Sequence, residues 1–265
     1  MGTYAEIIGL PGSGKSVFYR EALRRLDKAG VRVFAWKNGP LERRLLSLYL
    51  NKYEPLRWGR NPRKLWASLK DRFDLAFSGS VRHESILLRS FLYSHTELVA
   101  LILSILVRRG FPPWEKELVL GRYFDSFAHF QIARAVMGKG EAILTDPGLI
   151  QRGIALLGYR SPEQEEGDLR SYLRLTPLPD VLISVRVPPE VCLSRMQQRS
   201  FPRRLRGLNE RDVMASLEIC WTYQSMAEEE MQKRGAALIQ VENEGPLPSS
   251  LEQLNAGLQR VGLGA

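Results

Sequence analysis

Tyr4-Ala-Glu-Ile-Ile-Gly9-Leu-Pro11-Gly12-Ser13-Gly14-Lys15-Ser16 is the stretch whose reading decides the fold. Its first six residues read as a short buried strand, and Phe18, Ala22, Leu26 and Ala29 then recur at helical spacing until Gly30 closes the helix. Between strand and helix stands G-x-x-x-x-G-K-S, the Walker A spacing, in the strand–loop–helix context that gives this motif its meaning. Residues 31–36 read as a second strand, so the opening is a βαβ unit and the sheet is expected to be parallel and buried. The glycines let the backbone wrap an anion with N–H groups turned inward, and the helix N-terminus adds partial positive charge. Gly9, Pro11, Gly12, Ser13, Gly14, Lys15 and Ser16 are therefore the expected phosphate-binding residues. Lys15 suits the β- and γ-phosphates of ATP, and the Ser16 hydroxyl suits magnesium. A glycine-rich turn with a chance Lys-Ser is the plain alternative; the flanking strand and helix argue against it.

Working outward, strand signals return at residues 142–145, 181–187 and 237–241, which makes five in all. From Pro40 to about Gly140 the apolar residues recur only at helical spacing, as in Leu65, Leu69 and Phe73 or Phe124, Phe127 and Ala135. Gly110 followed by Pro112-Pro113 separates two of those helices. The apolar run at 98–107 is about half the ~20 residues a membrane span needs, and is expected to be a buried helix. Further helix starts are expected at Ser161-Pro162, Pro188-Pro189-Glu190 and Asn209-Glu210. No linker or repeat stands out, so residues 1–265 read as one α/β domain with a mostly helical insertion at 41–138.

Composition narrows the classes. Lys and Arg exceed Asp and Glu by 38 − 29 = 9, which favours an anionic ligand, be it nucleic acid, membrane surface or polyphosphate. Cys192 and Cys220 stand in no metal-ligand spacing, so neither a disulfide framework nor a zinc site is expected, and a reducing, cytoplasmic setting fits. The first residues carry no secretory leader pattern. A P-loop alone also serves GTPases, motors and helicases. The chain lacks an Asn-Lys-x-Asp guanine-recognition string and RecA-like repeats, and its long helical stretch suits an acceptor cover, which favours a kinase.

Three stretches together resemble the thymidylate-kinase-like and deoxynucleoside-kinase-like P-loop kinases. They are the Walker A loop; Gly140-Glu-Ala-Ile-Leu-Thr-Asp146-Pro-Gly-Leu-Ile-Gln151-Arg152-Gly153; and Leu182-Ile-Ser-Val-Arg-Val-Pro-Pro-Glu-Val-Cys-Leu-Ser-Arg195-Met-Gln-Gln-Arg199. Residues 237–241 with Asn243-Glu-Gly-Pro are similar to the family's fifth strand and adenine-side loop. The resemblance implies a three-layer P-loop NTPase fold, a five-stranded parallel sheet of order 2-3-1-4-5, and transfer of a phosphoryl group from ATP with magnesium. It covers the sheet frame and hardly touches residues 40–117.

Arg195 and Arg199, four apart, are expected on one helix face opening an Arg-rich lid at 195–210, where guanidinium groups offset charge on a transferring phosphoryl group. Asp146 ends the third strand, where the resemblance implies a carboxylate for magnesium or for the acceptor's proton; an Asp-Pro turn is its plain reading. Asp125 and His129 echo an Asp-Arg-x-x-His helix of thymidylate kinases. Ser126 and Pro147 stand where that family has arginines for a monophosphate, and Arg122 or Arg152 is the available substitute. Lys37, after the second strand, is a further acceptor contact on this reading. The departures move the expected acceptor from a nucleotide toward another hydroxyl-bearing small molecule, such as a sugar, an antibiotic or a glycolipid precursor. The basic, aromatic run from Arg57 to Arg72 keeps open a nucleic-acid-associated ATPase or polynucleotide kinase, although its apolar residues share one helical face. A sulfotransferase on the same fold is the third reading, and a homodimer is an option the sequence leaves open.

Overall fold

The computed structural model describes residues 2–35, 91–159, 165–199, 201–202 and 204–264. These fall in two compact units, Met1–Trp36 with Gly138–Ala265, and Lys37–Met137. In the first, β1 (Thr3–Gly9) passes through the glycine loop into α1 (Lys15–Lys28) and β2 (Arg32–Ala35). The second unit contributes α2 (Thr96–Arg108) and α3 (Pro113–Val136). The first unit then resumes with β3 (Glu141–Thr145), α4 (Leu149–Gly158), α5 (Glu166–Leu175), β4 (Val181–Arg186) and α6 (Pro189–Gln197). It ends with α7 (Glu210–Lys233), β5 (Ala237–Glu242) and α8 (Leu247–Arg260).

The five strands form one parallel sheet in the order β2-β3-β1-β4-β5, the order the resemblance implies, and the fold is α/β. Register sets the site: Glu6 lies opposite Thr145 on β3 and Leu182 on β4, and Gly9 lies opposite Val185. The carboxyl ends of β1, β3 and β4 therefore share one sheet edge, where ligands bind in open α/β folds. Helices cover both faces. Ala5, Ile7, Ile183, Val185 and Ile239 pack on Phe18, Ala22 and Leu26 of α1 and on Leu254 and Leu258 of α8. On the other side, α7 packs against α4, α5, α6 and β4. Fully buried aliphatic side chains such as Ile7 and Val185 contribute roughly 1.5–3 kcal/mol each, so the sheet and its helices anchor the loop that follows β1.

Local chemistry accounts for the helix ends. Asn209 Oδ1 accepts from the Asp212 N–H at 2.9 Å and caps α7, and Pro189 opens α6 where a missing N–H costs nothing. The start expected at Ser161 lies outside the described residues; α5 begins at Glu166. In the second unit, Phe91 stacks on Phe127 and on His95, each at 4.1 Å between ring centres, so His95 is part of an aromatic cluster. The helix expected to be buried at 98–107 is amphipathic: Leu98, Ile102, Ile105 and Leu106 are buried, whereas Leu103 is 43% and Val107 72% exposed. An apolar run of that length covers the whole helix circumference, and a neighbouring element covers one side only. No described helix is long and apolar enough to cross a membrane.

Candidate functional site

The loop from Gly9 to Ser16 is shaped for an anion. Gly14, in the left-handed region, precedes α1, whose first residues are Lys15 and Ser16. Ser13 N–H donates to the Leu10 carbonyl at 3.1 Å and closes the turn. The N–H groups of Gly12, Gly14, Lys15 and Ser16 meet no acceptor among the described residues. Unpaired amides in one turn at a helix N-terminus form a nest for phosphate oxygens, so the residues present fit a nucleotide's phosphates. Ser16 stands exposed at the head of the helix. The Ser13 hydroxyl is different: it is buried and has no hydrogen-bond partner.

Lys15 Nζ donates to the carbonyl oxygens of Gly9 and Leu10, at 2.6 and 2.9 Å. Burial lowers its pKa below the ordinary 10.5, and the carboxylate of Asp146 opposes that shift. The structure thus brings Lys15 and Asp146 into electrostatic contact across the mouth of the sheet, from two segments far apart in sequence.

Long-range contacts fix the loop. Gln151 Oε1, on α4, accepts from the Gly9 N–H at 2.8 Å. Asn243 Nδ2, just after β5, donates to the Ser13 carbonyl at 2.8 Å, and the Asn243 carbonyl accepts from Arg195 Nη2 at 2.8 Å. Beneath Gly12, α6 approaches so closely that a Cβ there would stand 2.6 Å from the Cys192 carbonyl oxygen, which explains the glycine better than its backbone angle alone. The Cys192 thiol is pushed up to about 12 by burial and is an inert packing group.

A buried carboxylate sits behind the site. Glu6, on β1, is fully buried and accepts from the N–H groups of Leu149 and Ile150, both at 2.9 Å, and from the Tyr4 hydroxyl at 2.5 Å. It thereby caps α4, the helix that follows Asp146 and carries Gln151 and Arg152. A Cβ on Gly148 would fall 2.2 Å from Glu6 Cδ, so only glycine admits the carboxylate. Burial raises the Glu6 pKa above its ordinary 4.5 despite its donors. Glu6, Gln151 as a loop contact and Asn243 as a clamp were not singled out from the sequence; a lone acid inside an otherwise apolar strand is the signal that could have flagged Glu6.

α6 stops at Gln197, so Arg199 lies beyond the helix and is exposed; the shared helix face expected for Arg195 and Arg199 is not formed, because the chain turns at Gln198. Arg204 Nη1 donates to the Ala155 carbonyl of α4 at 3.2 Å, and Arg206 Nε to the Phe201 carbonyl at 3.0 Å, so these two arginines of the basic loop have backbone partners. Arg122 and Asp125 lie on α3 of the second unit, where Ser126 Oγ donates to the Arg122 carbonyl at 3.1 Å. Lys37 and the basic run from Arg57 to Arg72 lie outside the described residues, as does Arg203. No cluster of metal-ligating side chains occurs among the described residues.

No family model and no curated protein matches the sequence. Among solved structures the chain is similar to a deoxyadenosine kinase from M. mycoides with the products dCMP and a flexible dCDP bound. The identity is 13%, 97% of this chain and 99% of that chain are covered, and the TM-score is 0.42. The same kinase with dATP bound is similar at 13% identity, with the same coverage and a TM-score of 0.45.

Proposed function

We propose that this chain is a phosphotransferase that moves the γ-phosphoryl group of MgATP to a hydroxyl-bearing small molecule. The observation that carries the reading is the nest of unpaired amides at Gly12, Gly14, Lys15 and Ser16, with the Lys15 ammonium beside it and the Asp146 carboxylate acting on that ammonium. In the reaction the acceptor oxygen forms a bond to the γ-phosphorus while the bond to the β,γ-bridging oxygen breaks, and ADP leaves. Asp146 takes the proton released by the hydroxyl. Lys15 and the loop amides bear the charge that builds on the phosphate oxygens, and they are held in place before it builds. Arg195 donates one N–H to the Asn243 carbonyl, and its other donors together with the exposed Arg199 are assigned to the transferring group. Ser16 and Asp146 would hold magnesium, which supplies charge neutralisation on the phosphates.

The acceptor is assigned by what is missing. Ser126 and Pro147 carry no positive charge where thymidylate kinases place arginines, which counts against a monophosphate held in that manner. Incubation with γ-labelled ATP, magnesium and a panel of sugars, aminoglycosides, nucleosides and nucleoside monophosphates tests the reading. Label on a neutral or cationic hydroxyl compound supports it; label on a nucleoside monophosphate keeps the kinase and overturns the acceptor.

A further inference from the structure

Gln151 has 7% of its surface exposed and stands in the first turn of α4 with its Oε1 on the Gly9 N–H at 2.8 Å. Gly9 is the joint between strand and loop. Its N–H is held by Gln151, its carbonyl accepts from Lys15 Nζ at 2.6 Å, and its φ of 155° is open to few other residues. The helix that brings Gln151 there is itself fastened by Glu6 through the N–H groups of Leu149 and Ile150. A buried carboxylate on β1 thus sets α4, and α4 sets the first peptide of the loop that follows β1.

We infer that Gln151 is a positioning residue for the phosphate loop. It holds the Gly9 peptide in the orientation at which Lys15 and the unpaired amides face an anion, and it acts through Gly9 without touching the nucleotide. The inference rests on the nucleotide-binding reading above. Only an acceptor atom satisfies the Gly9 N–H, and leaving a buried donor unpaired is costly. Without Gln151 the peptide turns toward water, the binding-competent loop becomes a minor state, and the apparent dissociation constant rises by the inverse of its population.

Calorimetric binding of MgATP, with thermal melting in parallel, tests this on the wild-type chain, Gln151→Leu and Gln151→Glu. The leucine variant is expected to bind roughly tenfold more weakly. At neutral pH the glutamate variant places an anion beside the phosphates and binds weakly; as the introduced carboxyl protonates it again presents a neutral carbonyl oxygen, and affinity relative to wild type recovers with falling pH. Wild-type affinity in Gln151→Leu, whatever its melting temperature, reduces Gln151 to a packing role and overturns the inference. If Gln151→Leu does not fold, Gln151→Met, which keeps the side chain's length and lacks the carbonyl oxygen, decides by the same comparison: weakened MgATP binding supports the inference and wild-type affinity overturns it. Failure of the wild-type chain to bind MgATP removes the nucleotide reading first, and is seen before any variant is compared.

Discussion

At Lys15 the free loop works against its own charge. Burial lowers the lysine's pKa, and the Asp146 carboxylate is the largest influence favouring the ammonium, whose Nζ also donates to two carbonyl oxygens. Phosphate oxygens favour it strongly, so MgATP affinity should fall as pH rises through that lowered pKa, below the ordinary 10.5. Titration of affinity against pH checks this, and Lys15→Ala should lack the slope. The sign for stability is the reverse: the charged lysine costs stability below its folded pKa, so Lys15→Ala should not lower the melting temperature at neutral pH. Glu6 is an acid with a raised folded pKa. Its contribution is fully present below the ordinary 4.5 and is lost as pH rises through the folded value. Glu6→Gln should flatten that part of the stability profile. It leaves one α4 N–H facing an amide N–H, so denaturant unfolding at neutral pH should show a loss of about 1–3 kcal/mol. A comparable loss of slope without any loss of stability would contradict the capping role.

At the scale of elements, α7 is tied to the sheet by a buried polar network. Ser184 Oγ and Arg186 Nη1 donate to the two carboxylate oxygens of Glu228 at 2.5 and 2.6 Å, and Gln240 Nε2 donates at 2.8 Å. Gln224 Nε2 donates to Ser184 Oγ at 2.7 Å, and the Arg186 guanidinium lies 4.6 Å from the Trp221 ring centre. Removing one partner strands the others, so Glu228→Ala should cost about 3–5 kcal/mol in urea unfolding. Arg24→Ala, which breaks the exposed pair with Glu21, should leave the midpoint where it is. The elements themselves were largely legible. Each strand is a short apolar run between turn residues, and the Asn209 and Pro189 starts declare themselves through local capping chemistry. What the chain did not disclose depends on partners far away: Glu6 reaches Leu149 across 143 positions, Gln151 reaches Gly9 across 142, and Asn243 reaches Ser13 across 230. The end of α6 at Gln197 was missed for a related reason, since a four-residue spacing between arginines says nothing of where the helix stops.

For the whole molecule, a net charge of +9 and a loop whose amides meet no acceptor among the described residues both suit an anionic ligand, the charge without regard to its kind and the loop at one place on the sheet edge. Charge alone does not separate a nucleotide kinase from an enzyme that phosphorylates or moves along nucleic acid. One contiguous motif carries the expectation for the phosphate loop, Gly9 and residues 11–16, and the structure sets that motif between β1 and α1 with Asp146 directly after β3. The residues proposed for the acceptor come from separate segments, Arg152 on α4 and Arg122 and Asp125 on α3, with Lys37 outside the described residues, and no spacing rule joins them. The measurement that bears most directly on the central claim is transfer of label from γ-labelled ATP, with magnesium, to the small-molecule panel extended by short oligonucleotides, wild type beside Lys15→Ala. The account predicts label on a hydroxyl-bearing small compound, reduced at least about 10²-fold in the variant. Label on oligonucleotides instead, or transfer by Lys15→Ala at the wild-type rate, would contradict it.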